Sequence, residues 1–320
     1  MVETRLLKPK PVKQGATIGV VSPASRPPDD EKYKSGIEYL RKLGYRVVES
    51  RHVLDQHGYL AGKDQDRVQD LNLMFQDDQI DAIICSRGGY GTPRIIDQVD
   101  FNLINSHPKV FVGYSDITSL SLAIWQTTGL ITFSGPMVAV EMGKGIQPFT
   151  EESFWKALTS VEPIGKLKNP DNAPLKVIVP GKARGRLLGG CLSLINVLMG
   201  TPYLPDFEEA ILFIEDIDEQ PYGVDRYLAQ MKMAGVLDQI SGVVLGQFVD
   251  CTPTDPEKPS LKLEQIFEHY FSDLKIPVLA NFAYGHVPVK NTLPIGAMAE
   301  LDTENGGLFI TEAVVQNDAT

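Results

Sequence analysis

The chain of 320 residues contains little cysteine and only two tryptophans. Its three cysteines, Cys85, Cys191 and Cys251, are far apart, and no C-x-x-C pair is present. An odd number of isolated cysteines predicts neither a disulfide framework nor a zinc site, since both need paired or clustered thiols. We therefore expect Cys85 and Cys191 to pack as small apolar residues, and we expect no metal ion and no other cofactor.

Long apolar runs and an excess of basic residues are also absent. No run of about 20 apolar residues occurs, so no membrane span is predicted, and residues 1–14 lack the apolar segment of a signal peptide. The formal net charge of −11 argues against a nucleic-acid partner, which a basic surface would bind. The simplest location for such a chain is the cytoplasm.

The first half shows an alternation of predicted strands and helices. Short apolar runs predict strands at 16–22, 45–49 and 80–86, and helical spacing of apolar residues predicts helices at 29–43 and 63–76. This alternation predicts an α/β fold with a doubly wound, mostly parallel sheet of the flavodoxin or class I amidotransferase type. Ligands bind at the carboxyl ends of the strands in such sheets.

Length and proline distribution predict two domains, because 320 residues exceed the size at which a single core keeps growing. We expect an N-terminal domain at 1–150, a proline-rich linker at 151–180 with one strand at 175–179, and a smaller C-terminal α/β domain at 181–320. In the last we predict strands at 182–188, 242–248 and 278–282, helices at 191–199, 222–234 and 262–271, and a terminal hairpin around 303–306.

Ser115 stands at a predicted corner between a strand and a helix. The apolar run ends near Val112, Gly113 permits a sharp turn, and a helix begins shortly after Ser115. A serine at such a corner presents its hydroxyl beside backbone N–H groups, as the nucleophile of acyl transfer requires. The match to G-x-S-x-G is partial because Ile117 replaces the last glycine. A serine that only caps the helix is the alternative.

Two further ionisable residues follow predicted strands. Glu215 ends the apolar run 210–214, and His286 follows the run 277–282. Taken singly, the acidic stretch also fits a solvated loop and the histidine a structural residue. Together with Ser115 they supply a nucleophile, an acid and a base, and they would meet in a cleft between the two domains. The neighbouring acids Asp216, Asp218 and Glu219 compete for the second role.

A glycine-rich stretch, Arg87-Gly88-Gly89-Tyr90-Gly91, follows the third predicted strand. It lacks the lysine and spacing of a phosphate-binding P-loop, and it does not follow the first strand as a dinucleotide fingerprint would. Its glycines also allow a backbone N–H to approach a reacting carbonyl, as an oxyanion hole needs. A plain tight turn remains the third interpretation.

The motifs together resemble the LD-carboxypeptidases, serine peptidases of the murein tetrapeptide carboxypeptidase and microcin C self-immunity type. The resemblance spans nearly the whole chain. It is carried by Gly15-Ala16-Thr17-Ile18-Gly19-Val20-Val21-Ser22-Pro23-Ala24, Ser86-Arg87-Gly88-Gly89-Tyr90-Gly91, Gly113-Tyr114-Ser115-Asp116, Gly189-Gly190-Cys191-Leu192-Ser193-Leu194, Phe213-Ile214-Glu215-Asp216 and Gly285-His286. It implies a catalytic triad of Ser115, Glu215 and His286, an oxyanion hole formed by the N–H groups of Gly89 and Asp116, and a homodimer.

The resemblance also implies the substrate, a murein tetrapeptide that loses its C-terminal D-alanine from diaminopimelate or lysine. The D-alanine carboxylate calls for a cation, for which Arg87 is the first candidate, ahead of Arg186 and Lys290. A peptidyl-nucleotide antibiotic is the alternative substrate, but Trp125 and Trp155, the only tryptophans, lie away from the catalytic motifs. A general serine esterase lacks support because an HGGG-type segment is absent, and a non-catalytic binding protein remains open.

Overall fold

The computed structural model describes residues 6–255 and 257–317, which form two β-sheets with associated helices. The strands are β1 (Thr17–Val21), β2 (Arg46–Glu49), β3 (Ala82–Cys85), β4 (Val110–Val112), β5 (Thr132–Ser134), β6 (Gly165–Lys166), β7 (Lys176–Val179), β8 (Lys182–Cys191), β9 (Ile211–Ile217), β10 (Gly242–Val249), β11 (Val278–Ala280), β12 (Leu293–Ile295), β13 (Met298–Asp302) and β14 (Gly307–Ile310).

The α-helices are α1 (Asp30–Lys42), α2 (Asp64–Gln76), α3 (Phe101–Ser106), α4 (Ile117–Thr128), α5 (Pro148–Thr159), α6 (Leu192–Val197), α7 (Pro221–Met233), α8 (Val236–Gln239) and α9 (Leu263–Phe271). A π-helical turn, Val138–Met142, precedes α5. None of the helices in the described part of the chain is long and apolar enough to span a bilayer.

The first sheet contains six strands in the order β12-β5-β4-β3-β1-β2. Its five strands from the first half of the chain are parallel to their neighbours, and only β12 is antiparallel. Every residue of β1, β3 and β4 is buried, as apolar runs covered on both faces of a parallel sheet should be. The predicted α/β fold with a doubly wound, mostly parallel sheet is therefore confirmed.

The helices of the first half begin and end where local chemistry favours it. The side chain of Asp29 accepts hydrogen bonds from the N–H groups of Glu31 and Lys32 and so caps α1. Helix α4 ends at Gly129, which has the left-handed φ of 70° that a helix C-terminus commonly requires. The observed bounds of α1 and α2 agree with the predicted ones within a residue or two.

The second sheet contains eight strands in the order β6-β14-β13-β8-β9-β10-β11-β7. Strands β8 to β11 are parallel, and the strands on either side of this group are antiparallel. The C-terminal part is thus a mixed α/β sheet, and the predicted terminal hairpin is present as β13 and β14.

The two halves are connected by more than a single crossing of the chain. Residues 148–159, largely inside the predicted linker, form helix α5, and β6 and β7 from the same region join the second sheet. In return, β12 from the second half pairs with β5 in the first sheet. One apolar core cluster includes buried residues of both sheets. The two halves of the chain are therefore packed together through a shared strand pairing and a shared apolar core. The domain boundaries predicted at 150 and 180 stay a prediction.

Candidate active site

Ser115 lies in the turn between β4 and α4, with a left-handed φ of 64°. This conformation costs a non-glycine residue about 1–2 kcal/mol, so the surrounding structure must impose it. Gly113 permits the tight turn, since a Cβ there would lie 2.7 Å from Cγ2 of Ile117. The Ser115 hydroxyl makes no hydrogen bond to any residue of 6–255 or 257–317 and does not cap α4. The interpretation of Ser115 as a helix cap is therefore wrong.

Glu215 and His286 are brought together from separate elements of the second half. Glu215, in β9, is fully buried, and its Oε2 accepts a hydrogen bond from Nδ1 of His286 at 2.7 Å. The other carboxylate oxygen, Oε1, is buried and has no hydrogen-bond partner in the described part of the chain. Donation from Nδ1–H to a carboxylate leaves Nε2 unprotonated, which is the tautomer that a general base needs.

Two of the competing acids, Asp216 and Glu219, bind groups other than His286. The carboxylate of Asp216 accepts hydrogen bonds from the N–H of Ser193 at 2.8 Å and from that of Ile217 at 2.9 Å. Burial raises the pKa of Asp216 to about 6. Glu219 accepts a hydrogen bond from the hydroxyl of Tyr227 at 3.0 Å. Glu215 is the member of this group that contacts His286.

Two contacts place the Glu215–His286 pair beside the nucleophile turn. The ring of His286 packs edge to face against Tyr114, the residue before Ser115, with ring centroids 5.0 Å apart. On the other side, the N–H of Cys191 donates to Oγ1 of Thr118, in the first turn of α4, at 3.2 Å. No hydrogen bond joins Ser115 to His286 in this structure, and in unliganded sites such bonds commonly form only when substrate binds.

The glycine-rich turn after β3 packs against Ser115. A Cβ on Gly88 would lie 2.8 Å from Cβ and 3.1 Å from Oγ of Ser115, so only glycine fits there. The backbone N–H groups of Gly89 and Asp116 donate to no acceptor among the described residues. An oxyanion hole needs two such unpaired N–H groups, so the oxyanion hole of Gly89 and Asp116 stays a prediction.

The side chain of Asp116 helps to hold the glycine-rich turn against the turn that carries Ser115. It is buried, and one carboxylate oxygen accepts a hydrogen bond from the N–H of Thr92 at 2.8 Å. The hydroxyl of Thr92 in turn donates to the backbone carbonyl of Asp116 at 2.6 Å. Burial raises the pKa of Asp116. The segment after the glycine-rich turn is thereby tied to the segment after the nucleophile.

Of the three candidate cations, only Arg87 has no ion-pair or hydrogen-bond partner in the described part of the chain. Its half-buried position lowers the pKa of the guanidinium, and Tyr114 opposes that shift. Arg186 pairs with Glu312 at 2.6 Å. Lys290 is 1% exposed and pairs with Glu141 at 2.6 Å. Arg186 and Lys290 are therefore already committed to structural contacts.

Residues that could ligate a metal ion lie outside this cluster. In the described ranges one such group occurs, formed by His52, Asp55 and Asp66 in the loop after β2 and the first turn of α2.

Glu141 is a residue near the site that the sequence analysis missed. It lies in the π-helical turn, which has no periodic apolar pattern, so nothing in the sequence indicates that its carboxylate is buried beside Tyr114.

Comparisons with known proteins agree with this architecture over both halves. A family model described as the LD-carboxypeptidase N-terminal domain matches residues 18–135, and one described as the LD-carboxypeptidase C-terminal domain matches residues 184–301. The chain is 44% identical over 297 residues to a probable murein peptide carboxypeptidase of Bacillus subtilis, covering 92% of each chain.

Two solved structures share the fold. The microcin C7 self-immunity protein MccF in complex with glutamyl sulfamoyl guanosine superposes with a TM-score of 0.88 at 27% identity, covering 97% of this chain and all of the other. A muramoyltetrapeptide carboxypeptidase from Oxalobacter formigenes superposes with a TM-score of 0.80 at 30% identity, covering 92% of this chain and 97% of the other. Both the family models and the fold confirm the resemblance found in the sequence, and the chain belongs to the LD-carboxypeptidase family.

Proposed function

We propose that this chain is a serine carboxypeptidase that removes D-alanine from the C-terminus of murein tetrapeptide in cytoplasmic peptidoglycan recycling. The bond cut joins the L-centre of diaminopimelate or lysine to the terminal D-alanine. The observation that carries the proposal is the 2.7 Å hydrogen bond between buried Glu215 and partly exposed His286, which lie beside the strained and unbonded Ser115. The 44% identity to a probable murein peptide carboxypeptidase supports the choice of substrate.

The proposed first step is acylation of Ser115. His286 removes the hydroxyl proton through Nε2 as Oγ attacks the scissile carbonyl, and Glu215 stabilises the imidazolium that forms. The negative charge that develops on the carbonyl oxygen is stabilised by the N–H groups of Gly89 and Asp116. The imidazolium then protonates the amine of the departing D-alanine.

Hydrolysis of the acyl-enzyme completes the cycle. His286 takes a proton from a water molecule, which attacks the ester carbonyl, and the proton returns to Oγ of Ser115 as the shortened peptide leaves. We assign binding of the D-alanine carboxylate to Arg87. Its guanidinium has no hydrogen-bond or ion-pair partner among the described residues, so it can donate two parallel hydrogen bonds to a carboxylate.

A peptidyl-nucleotide is the second candidate substrate, because the fold matches MccF at a TM-score of 0.88. A stacking platform for a nucleobase is then expected. Trp125 is buried and lies under the guanidinium of Arg186, and Trp155 stacks on Tyr45 with centroids 4.8 Å apart. Both indole rings already pack against side chains of this chain, which favours the murein peptide.

The test is digestion of L-Ala-γ-D-Glu-diaminopimelate-D-Ala by the wild-type protein and by Ser115→Ala, followed by mass spectrometry. We expect the wild type alone to release one D-alanine. Cleavage by neither protein would refute the murein substrate and make the peptidyl-nucleotide the next one to test. Equal cleavage by both would refute the assignment of Ser115. Size-exclusion chromatography with light scattering on the same preparation tests the predicted homodimer.

A further inference from the structure

The loop that carries His286 continues into a buried lysine. Lys290 is 1% exposed, and its ammonium group donates to the carbonyl of Gly285, the residue before His286, at 3.0 Å. The backbone N–H of Lys290 also donates to Oγ1 of Thr150 in α5 at 2.9 Å. The side chain and the backbone of Lys290 therefore both hold the segment that presents the imidazole.

The partner of Lys290 comes from the other half of the chain. Glu141, in the π-helical turn, lies with Oε1 2.6 Å from the ammonium nitrogen of Lys290. Its second oxygen accepts the N–H of Met137 at 3.0 Å. Burial by itself would raise the pKa of Glu141, but the adjacent Lys290 holds it below the ordinary value. Burial lowers the pKa of Lys290, and the neighbouring Glu141 opposes that shift. A buried ion pair thus joins the two halves beside Tyr114 and the His286 loop.

Tyr114 links this ion pair to both members of the catalytic couple. Its hydroxyl donates to Oε1 of Glu141 at 2.8 Å, and the Lys290 ammonium lies 3.5 Å from the centre of its ring. The same ring packs against His286 and precedes Ser115 in the chain. A shift of the ion pair would therefore move both the base and the nucleophile turn.

Stability alone does not account for this arrangement. Burying two charges costs several kcal/mol per ion, and buried pairs replaced by apolar residues of similar volume commonly leave stability unchanged or higher. The hydrogen bonds of this pair instead end on groups that flank the reacting residues, namely the Gly285 carbonyl and the Tyr114 hydroxyl. Buried polar networks of this kind can define a single geometry where an apolar contact would allow several.

We propose that Lys290 and Glu141 are positioning residues of the hydrolytic site: together they hold Tyr114 and the Gly285–His286 backbone so that the imidazole stays within reach of the Ser115 hydroxyl. Neither residue contacts the substrate. The proposal rests on the proposed function, and it adds the reason why a base from one half of the chain meets a nucleophile from the other in a reproducible geometry.

The test compares Lys290→Met, Glu141→Gln and the double variant in D-alanine release and in thermal unfolding. Each single variant leaves one buried charge without its partner, so its melting temperature should fall. The double variant leaves no unpaired charge, and its melting temperature should return close to that of the wild type. Its kcat should nevertheless stay about a hundredfold below the wild-type value with KM changed less than threefold, because misplacing reacting groups by about 1 Å costs that much.

Recovery of both melting temperature and kcat in the double variant would overturn the proposal, since the pair would then be only structural. Lys182→Met serves as the control, because it breaks a 2.8 Å ion pair with Asp302 at the opposite end of β8. Lys182 is nine residues before Cys191, the residue of β8 that pairs with Glu215. Because nine residues of strand span about 30 Å, Lys182 lies far from Glu215 along the sheet. We expect its kcat to stay within twofold of the wild-type value.

A second measurement separates failure of this proposal from failure of the proposed function. If the wild type releases no D-alanine, NMR of protein with ¹⁵N-labelled histidine still reports on the imidazole, and only five histidines are present. We expect a downfield Nδ1–H resonance for His286 in the wild type that is lost or broadened in the double variant and kept in Lys182→Met. An unchanged resonance in the double variant would overturn the positioning role.

Discussion

Replacement of Glu215 by glutamine tests the acid of the proposed triad with almost no change in volume. In the wild type, Oε2 accepts the Nδ1–H of His286 at 2.7 Å, and Oε1 is buried without a hydrogen-bond partner among the described residues. Glutamine can place either its oxygen or its NH₂ group toward the ring. Placing the oxygen there would bury an NH₂ group without a partner in the position of Oε1, at a cost of about 1–3 kcal/mol.

The glutamine NH₂ group should therefore face Nδ1 and donate to it. Nδ1 then becomes an acceptor, the imidazole proton moves to Nε2, and the ring can no longer take a proton from Ser115. The variant also lacks the negative charge that stabilises the imidazolium. We expect kcat to fall about 10⁴-fold, which corresponds to about 5.5 kcal/mol of transition-state stabilisation, while KM changes little because Glu215 does not touch the substrate.

The assay is steady-state release of D-alanine, with circular dichroism and thermal unfolding to confirm that the variant is folded. Asp216→Asn is the matched control, because it makes the same change at the next residue, whose carboxylate binds the N–H of Ser193 instead of His286. Its kcat should stay within about threefold of the wild-type value. A loss of less than tenfold in Glu215→Gln, or an equal loss in both variants, would refute the assignment of Glu215.

Three further outcomes follow from single residues of the site. At the left-handed φ of 64° observed for Ser115, glycine is less strained than alanine. Ser115→Gly should therefore be about 1 kcal/mol more stable than Ser115→Ala in urea unfolding, while both variants stay inactive. Equal stabilities would contradict the strained turn. Arg87→Ala should raise KM for the tetrapeptide about tenfold to a hundredfold and leave KM for its C-terminal amide unchanged, and an equal rise for both peptides would exclude carboxylate binding. Burial raises the pKa of Asp216 from its ordinary value of 3.8 to about 6, so its ionisation weakens the folded state as pH rises through that window. Asp216→Asn should therefore gain about 2 kcal/mol in stability relative to wild type between pH 4 and pH 7 in urea unfolding, and a constant difference would contradict the shift.

Local patterns in the sequence determined the elements and the candidate residues. The runs of β1, β3 and β4, apolar apart from Thr17, predict buried parallel strands because such strands have no polar face. Cap chemistry at Asp29 and Gly129 sets helix ends within a turn, which is why it can be seen in a few consecutive letters. The resemblance to the LD-carboxypeptidases was likewise carried by short motifs, each of which lies in a few consecutive residues of the sequence.

Only the tertiary structure decided which side chains meet. Glu215 and His286 are 71 residues apart. Residue patterns alone could not separate Glu215 from Asp216, and only the family resemblance favoured Glu215, because the choice depends on which neighbour of an alternating strand faces the histidine loop. The pairing of β12 with β5 and the burial of Lys290 on Glu141 are longer-range still, with no periodic signal at either end. Contacts of this kind arise from packing of whole sheets and helices, so the sequence named the reacting groups and the fold set their distances.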